Sequence, residues 1–224
     1  VCSSDLNIWI IANKKIGVAA YQKNGLYHFD TIPFKRIEPG QVNVIYMDKN
    51  DIVWFGGVNG LIRYDKSVKI NYENSFTALI RKIITKDDSV IYWGTFWNKI
   101  QNQENKKTIE PFNNRTISLT QPDALKPVLD YRFNSLTFHY AAPSFDNEGT
   151  NKFSYILEGF DSDSPAWSAW SNVTKKEYTN LYEGNYIFRV KAKNIYDVQS
   201  KRQYMNFAFY LPGIAHYGFL WDMA

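Results

Sequence analysis

The stretch that most constrains this chain is residues 178–194, YTNLYEGNYIFRVKAKN. Within it Tyr186, Phe188, Val190 and Ala192 alternate with Ile187, Arg189, Lys191 and Lys193. One face is apolar and the other mostly cationic, which is the period of a half-buried strand. Leu181-Tyr182-Glu183-Gly184-Asn185 precedes it and reads as a turn in which Gly184 and Asn185 tolerate positive φ. A Tyr a few residues after Leu181, at the start of the strand, is the pattern of a tyrosine corner. In that motif the hydroxyl bonds back to upstream backbone and pins the edge of a β-sandwich. The residues alone therefore point to an all-β binding or structural protein.

Length and composition set the frame. A chain of 224 residues holds one large or two small domains. Aromatics at 17% favour strands and aromatic-rich cores. The net charge of +4 is mild, and Lys and Arg are interspersed with acids, so no nucleic-acid stripe is expected. A single Cys allows no internal disulfide. No run of 18 apolar residues is present. Residues 1–6, VCSSDL, fit no strand pattern and back-translate to a common sequencing-adaptor sequence. They are read as a scar and kept out of the fold reasoning. The chain is expected to be a fragment.

Taken in order, residues 7–21 (NIWIIANKKIGVAAY) and 51–65 (DIVWFGGVNGLIRYD) share a plan. Each opens on Asn or Asp, runs through an Ile-bearing strand with Trp, turns, and ends a second strand in Tyr. Residues 88–98 (DSVIYWGTFWN) are a weaker third copy. Recurrence at roughly 40–45 residues is the mark of propeller blades. Trp9, Trp54 and Trp93 are read as blade packing, with Gly56, Gly57 and Gly60 allowing the turn. Further strands are expected at 25–29, 42–47 and 76–84. A Pro-bearing stretch at 116–127 marks the domain junction. Beyond it Leu136, Phe138 and Tyr140 share one face, Phe153, Tyr155 and Leu157 another, and MNFAFYL at 205–211 is the final strand. That is five to seven strands, enough for a sandwich.

The second copy, with Asp51, Trp54, Phe55, Gly56, Asn59, Gly60, Leu61, Tyr64 and Asp65, resembles the two-component-regulator propeller repeat. The later segments YILEGFD (155–161), Trp167, YTNL (178–181) and GNYIFRVKAKN (184–194) resemble the triple-tyrosine, or Y_Y_Y, domain. Tyr155, Tyr178 and Tyr186 match its naming tyrosines, with Gly159, Leu181 and Gly184 around them. The resemblance implies an all-β fold: the last blades of a β-propeller at 7–120, then an immunoglobulin/fibronectin-III-like sandwich at 121–212. Residues 213–224 depart from the family pattern, either by divergence or by a frame slip near Pro212.

Catalytic chemistry is hard to find. His28, His139 and His216 have no partner at ligand spacing, so neither a metal nor another cofactor is expected. No nucleophile elbow, P-loop or dinucleotide fingerprint occurs. Asp161 and Asp163 sit in one Ser-bearing loop and read as turn formers. Phe96, Trp97 and Asn98 are the ligand candidates by residue type, because aromatic faces stack on sugars and amides bond their hydroxyls. Arg189, Lys191 and Lys193 read as a solvated face.

The family resemblance implies the periplasmic sensor region of a bacterial inner-membrane protein, such as the hybrid histidine kinases of Bacteroidetes. It implies an oligosaccharide ligand on the propeller, a homodimer, and a membrane segment just after this stretch. It implies no enzymatic activity in this region. A non-signalling carbohydrate-binding or scaffold protein built from the same modules is the other expectation.

Overall fold

The structure is a computed structural model that describes residues 7–12, 15–37, 42–50, 52–58, 60–94, 96–99, 115–118, 120–122, 126–160 and 166–210. By contacts the chain divides into two units, residues 1–74 with 194–198, and residues 75–193 with 199–224. The fold is all-β, the end of a propeller followed by a β-sandwich.

The first unit is two antiparallel three-stranded meanders, the build of propeller blades. One contains β1 (Ile8–Ala12), β2 (Lys15–Tyr21) and β3 (Tyr27–Asp30); the other β4 (Val42–Met47), β5 (Ile52–Gly57) and β6 (Gly60–Asp65). Strand alternation sends Val53 and Phe55 inward, and both are fully buried. They join Trp9, Ile16, Phe34 and Val42 in one cluster. Trp9 is its centre, meeting Phe34, Phe55 and Tyr64 edge-on with centroids 5.6–6.0 Å apart.

The repeated tryptophans are therefore not equivalent. Trp9 packs the core. Trp54 sits on the opposite face of its strand, half-buried, and its Nε1 donates to Asp48 at 3.2 Å. Phe55 takes the place expected for Trp54. Trp93 is 71% exposed.

The second unit holds β7 (Leu79–Thr85), β8 (Val90–Tyr92), β9 (Phe96–Lys99), β10 (Arg115–Ser118), β11 (Val128–Asp130), β12 (Leu136–Ala141), β13 (Lys152–Glu158), β14 (Lys175–Tyr178), β15 (Gly184–Lys193) and β16 (Gln203–Tyr210). Two four-stranded sheets form, in the orders β14-β12-β7-β8 and β11-β16-β15-β13, and β9 and β10 pair as a ribbon. The third blade expected at 88–98 is thus part of the sandwich: β8 pairs with β7, which pairs with β12. The division falls after residue 74, well before the junction expected at 120. The reason is that β7 pairs with β12 along its length, a long-range choice that no local pattern reveals.

The sandwich core follows the predicted alternation. Tyr186, Phe188, Val190 and Ala192 of β15 are buried, as are Leu136, Phe138 and Tyr140 of β12. Phe188 is the hub. Its ring stacks on Phe138 at 4.1 Å and lies about 6 Å from those of Tyr140, Tyr155 and Tyr178. Each fully buried ring of this kind contributes roughly 1.5–3 kcal/mol over an exposed one. Positive φ falls on Gly184 and Asn180, whereas Asn185 keeps an ordinary backbone.

Side-chain amides satisfy backbone groups of two strands, Gln121 at the edge of β16 and Gln203 on β7. The Gln121 amide donates to the Asn206 carbonyl at 2.9 Å and accepts from the Asn206 N–H at 2.6 Å, as a neighbouring strand would. Buried Gln203 accepts from the Ile80 N–H. A β-edge closed in this way offers little to an incoming strand.

Candidate functional site

Of the ligand candidates named from sequence, Phe96 is the one whose side chain is described. Phe96 is buried in the sandwich core, with the Tyr92 ring 4.9 Å away, so its face is unavailable to a ligand. Trp97 and Asn98 lie on β9 opposite Ile117 and Thr116, and their side chains are outside the described residues. Asp161, Asp163 and His216 are likewise outside the described residues. His28 is exposed on β3.

The three tyrosines divide. Tyr155 and Tyr178 share the Phe188 hub, and the Lys176 ammonium approaches both rings, at 5.8 and 5.1 Å. Both line an open cavity of about 450 Å³ between edge strands β13 and β14, and Tyr155 also lines a second of about 490 Å³, with Ser168, Ser171 and Glu177 around them. Tyr186 does something else. Its hydroxyl donates to the Tyr182 carbonyl at 2.8 Å, closing the tyrosine corner. Its ring stacks on Phe207 at 5.4 Å.

The cationic face of β15 is not the solvated surface expected. Arg189 makes two bonds to the Glu158 carboxylate, at 2.6 and 3.2 Å. Lys191 lies against the Trp167 and Trp170 rings at 4.5 and 5.1 Å, Lys193 against Trp170 at 5.3 Å, and Arg202 against Trp167 at 5.3 Å. Cations and indoles thus alternate in a ladder: Arg202, Trp167, Lys191, Trp170, Lys193.

The segment Trp167-Ser168-Ala169-Trp170-Ser171 is built for this. Its two serines tie it to the free edge of β13. Ser168 N–H donates to the Tyr155 carbonyl at 2.9 Å, and its hydroxyl accepts from the Tyr155 N–H at 3.1 Å. Ser171 exchanges two backbone bonds with Phe153, at 2.7 and 3.0 Å. This covers Ser154 and Ile156, which the strand pattern alone leaves exposed. The sequence held the signal, a Trp-Ser doublet repeated after three residues. Beside alternating Arg and Lys on a later strand it spells cation–π packing.

Residues 144–209 match the Y_Y_Y domain family. The chain carries a Y_Y_Y domain. Its matched span runs from just after β12 almost to the end of β16, and so holds all three tyrosines, the corner and the ladder. In structure the chain resembles a crystal structure described as the extracellular domain of a proposed hybrid two component system, BT3049, from B. thetaiotaomicron. The identity is 18% and the TM-score 0.53, over 92% of this chain and 25% of that one. It also resembles two structures described as the extracellular domain of BT4673 from the same organism. These have 19% and 18% identity, TM-scores of 0.44 and 0.43, and cover 94% of this chain and 24% and 25% of theirs. The chain spans about a quarter of the length of these structures. No curated protein matches it.

Proposed function

We propose that this chain is part of the extracytoplasmic sensor region of a bacterial transmembrane signalling protein, either a hybrid histidine kinase or a transcriptional regulator. The observation that supports this most is the succession of propeller-type meanders and a Y_Y_Y sandwich in one chain, 92% of which is covered by the likeness to the BT3049 extracellular domain. In this reading the complete propeller binds a glycan, and the sandwich, paired with its twin, carries the change to the inner membrane. The region works by binding. No acid, base and nucleophile converge among the described residues of the cavities.

Such a device has a thermodynamic requirement. The ligand must bind one arrangement of the dimer more tightly than the other. Moving a pair of states from one extreme to the other takes a preference of about 10⁴-fold.

The test is to read the complete gene through both ends of this stretch and fractionate cells that express it. The expected outcome is an apolar segment of about 20 residues after the sandwich, a kinase or DNA-binding region beyond it, and recovery in the inner membrane. A soluble product that lacks such a segment overturns the reading and leaves a free binding protein built from the same modules.

A further inference from the structure

We propose that the outer face of the sheet formed by β14, β12 and β7 carries a binding site for an acidic saccharide, with Lys82, His139 and Lys175 holding the acid group and Trp93 the sugar ring. This site is independent of the propeller, and it stands or falls separately from the sensor reading.

Register places the three basic groups in one row. Lys175 of β14 lies directly opposite His139 of β12, and Lys82 of β7 lies opposite it on the other side. Leu136, Phe138 and Tyr140 point into the core, so His139 points outward. Opposed residues on antiparallel strands are about 4.5–5.5 Å apart at Cα, and the row therefore spans roughly 10 Å.

A row of like charges opposes folding. Elsewhere in the protein cations have found acids, as in Arg189 with Glu158, Arg63 with Asp65 and Lys35 with Asp197. Among the described residues neither Lys82 nor Lys175 makes such a pair, and neither does exposed Arg81, which sits at the bulge of β7 beside the row. One acid stands nearby, Glu177 of β14, in the next row opposite Thr137. The other sheet also opposes two lysines, Lys152 and Lys193, but there Lys193 rests against Trp170.

Trp93 supplies the second element. It follows β8, is 71% exposed, and its ring centroid lies 5.9 Å from the Lys82 ammonium. An exposed indole beside cations that have no carboxylate partner among the described residues suits a ligand with a flat apolar face and an anionic substituent, which is the chemistry of a uronate or sulfated sugar.

His139 adds pH dependence. Burial, then the ammonium groups of Lys82 and Lys175, hold its imidazole below the ordinary histidine value. The charged groups facing it are Lys82 and Arg81 from β7 and Lys175 and Glu177 from β14. An anion in the row offsets the two ammonium groups and raises the histidine's pKa, so affinity increases as pH falls.

The test is calorimetric titration of the 224-residue protein with an oligogalacturonate, a sulfated dextran oligosaccharide and plain dextran, at low and physiological salt. The acidic probes are expected to bind and plain dextran not to. The pair of charged probes separates a uronate site from a sulfate site. The double variant Lys82→Gln, Lys175→Gln is expected to weaken binding about tenfold or more and, by relieving repulsion, to raise the urea midpoint. His139→Asn is expected to remove the gain in affinity between about pH 7 and pH 5. Trp93→Ala is expected to weaken the oligosaccharides while sparing inorganic sulfate. The proposal fails if the double variant binds as the parent does, if Lys152→Gln weakens binding equally, or if the double variant lowers the urea midpoint.

Discussion

The Lys191 ammonium lies 4.5 Å from the centroid of the Trp167 ring, and that contact pins the Trp-Ser segment across the outer face of the sandwich. A double-mutant cycle with Trp167→Leu and Lys191→Met isolates it. The expected coupling is about 0.5–1 kcal/mol, the range of a partly exposed cation–π pair. Urea unfolding followed by far-ultraviolet circular dichroism measures it. A coupling indistinguishable from zero would mean that the ladder is mere proximity.

The tyrosine corner makes a narrower prediction. Tyr186→Phe keeps the ring contacts to Phe207 and Phe209 but removes the hydrogen bond to the Tyr182 carbonyl. A loss of about 1 kcal/mol is expected, or a few degrees in Tm for a chain of this size. Tyr182→Phe is the control, since Tyr182 contributes its backbone oxygen and its side chain is 75% exposed. Equal effects from the two variants would remove the corner from the account.

Gly159 has φ +92°, and a Cβ there would stand 2.4 Å from the Asn185 carbonyl oxygen. Backbone cannot yield as a flexible side chain can, so Gly159→Ala adds a clash to about 1–2 kcal/mol of left-handed strain. Gly149, in the same unit, would meet only the Asn147 side chain at 3.7 Å. Gly149→Ala is expected to leave the thermal midpoint within about a degree, an effect typical of surface positions. A Gly159→Ala protein as stable as the Gly149→Ala protein would contradict the close approach.

Two buried tyrosines predict alkaline weakness. Tyr92 and Tyr140 have buried hydroxyls with no hydrogen-bond partner among the described residues. Burial pushes Tyr92 up to about 12 and Tyr140 higher still, with the neighbouring Tyr155 adding to the second. In the unfolded chain both ionise near pH 10. The folded form therefore binds more protons above that pH. Stability from these groups is fully present below about pH 10 and falls as pH rises toward 12 and beyond. Urea midpoints measured from pH 8 upward should decline from about pH 10. Tyr140→Phe should flatten that decline and cost little at pH 8, because it also removes an unpartnered polar atom. A midpoint independent of pH would refute the burial.

Gln121 acts as a one-residue strand. Gln121→Ala strips the Asn206 N–H and C=O of their partners. A loss of about 1–3 kcal/mol follows if water cannot replace them, and the Asn206 amide should exchange hydrogen faster while the β15–β16 amides stay protected. Unchanged exchange at Asn206 would show that water substitutes for the amide.

Much of the sandwich was legible in the chain. The alternation of Tyr186, Phe188, Val190 and Ala192 named the buried face of β15, because a strand's two faces follow from its pleat alone. The tyrosine corner was legible for the same reason: it closes over four residues. The outer face is not legible in the same way, since a run of Arg and Lys is solvated unless something folds over it. What folds over it is a Trp-Ser segment some twenty residues upstream.

Sequence by itself determined the local matters: which runs are strands, where they turn, which side chains face in, and the family of residues 144–209. Tertiary structure alone decided which sheet each strand joins. Residues 88–98 carry a blade-like pattern, yet β7 pairs with β12 and takes β8 with it. It also decided that Trp9 and Phe55 share a core while Trp54 and Trp93 do not, and that Lys82, His139 and Lys175 stand side by side. The reason is one of range. Pleat and turn preferences act within a few residues, whereas strand pairing joins segments far apart in the chain, and one-residue changes in register reverse every face.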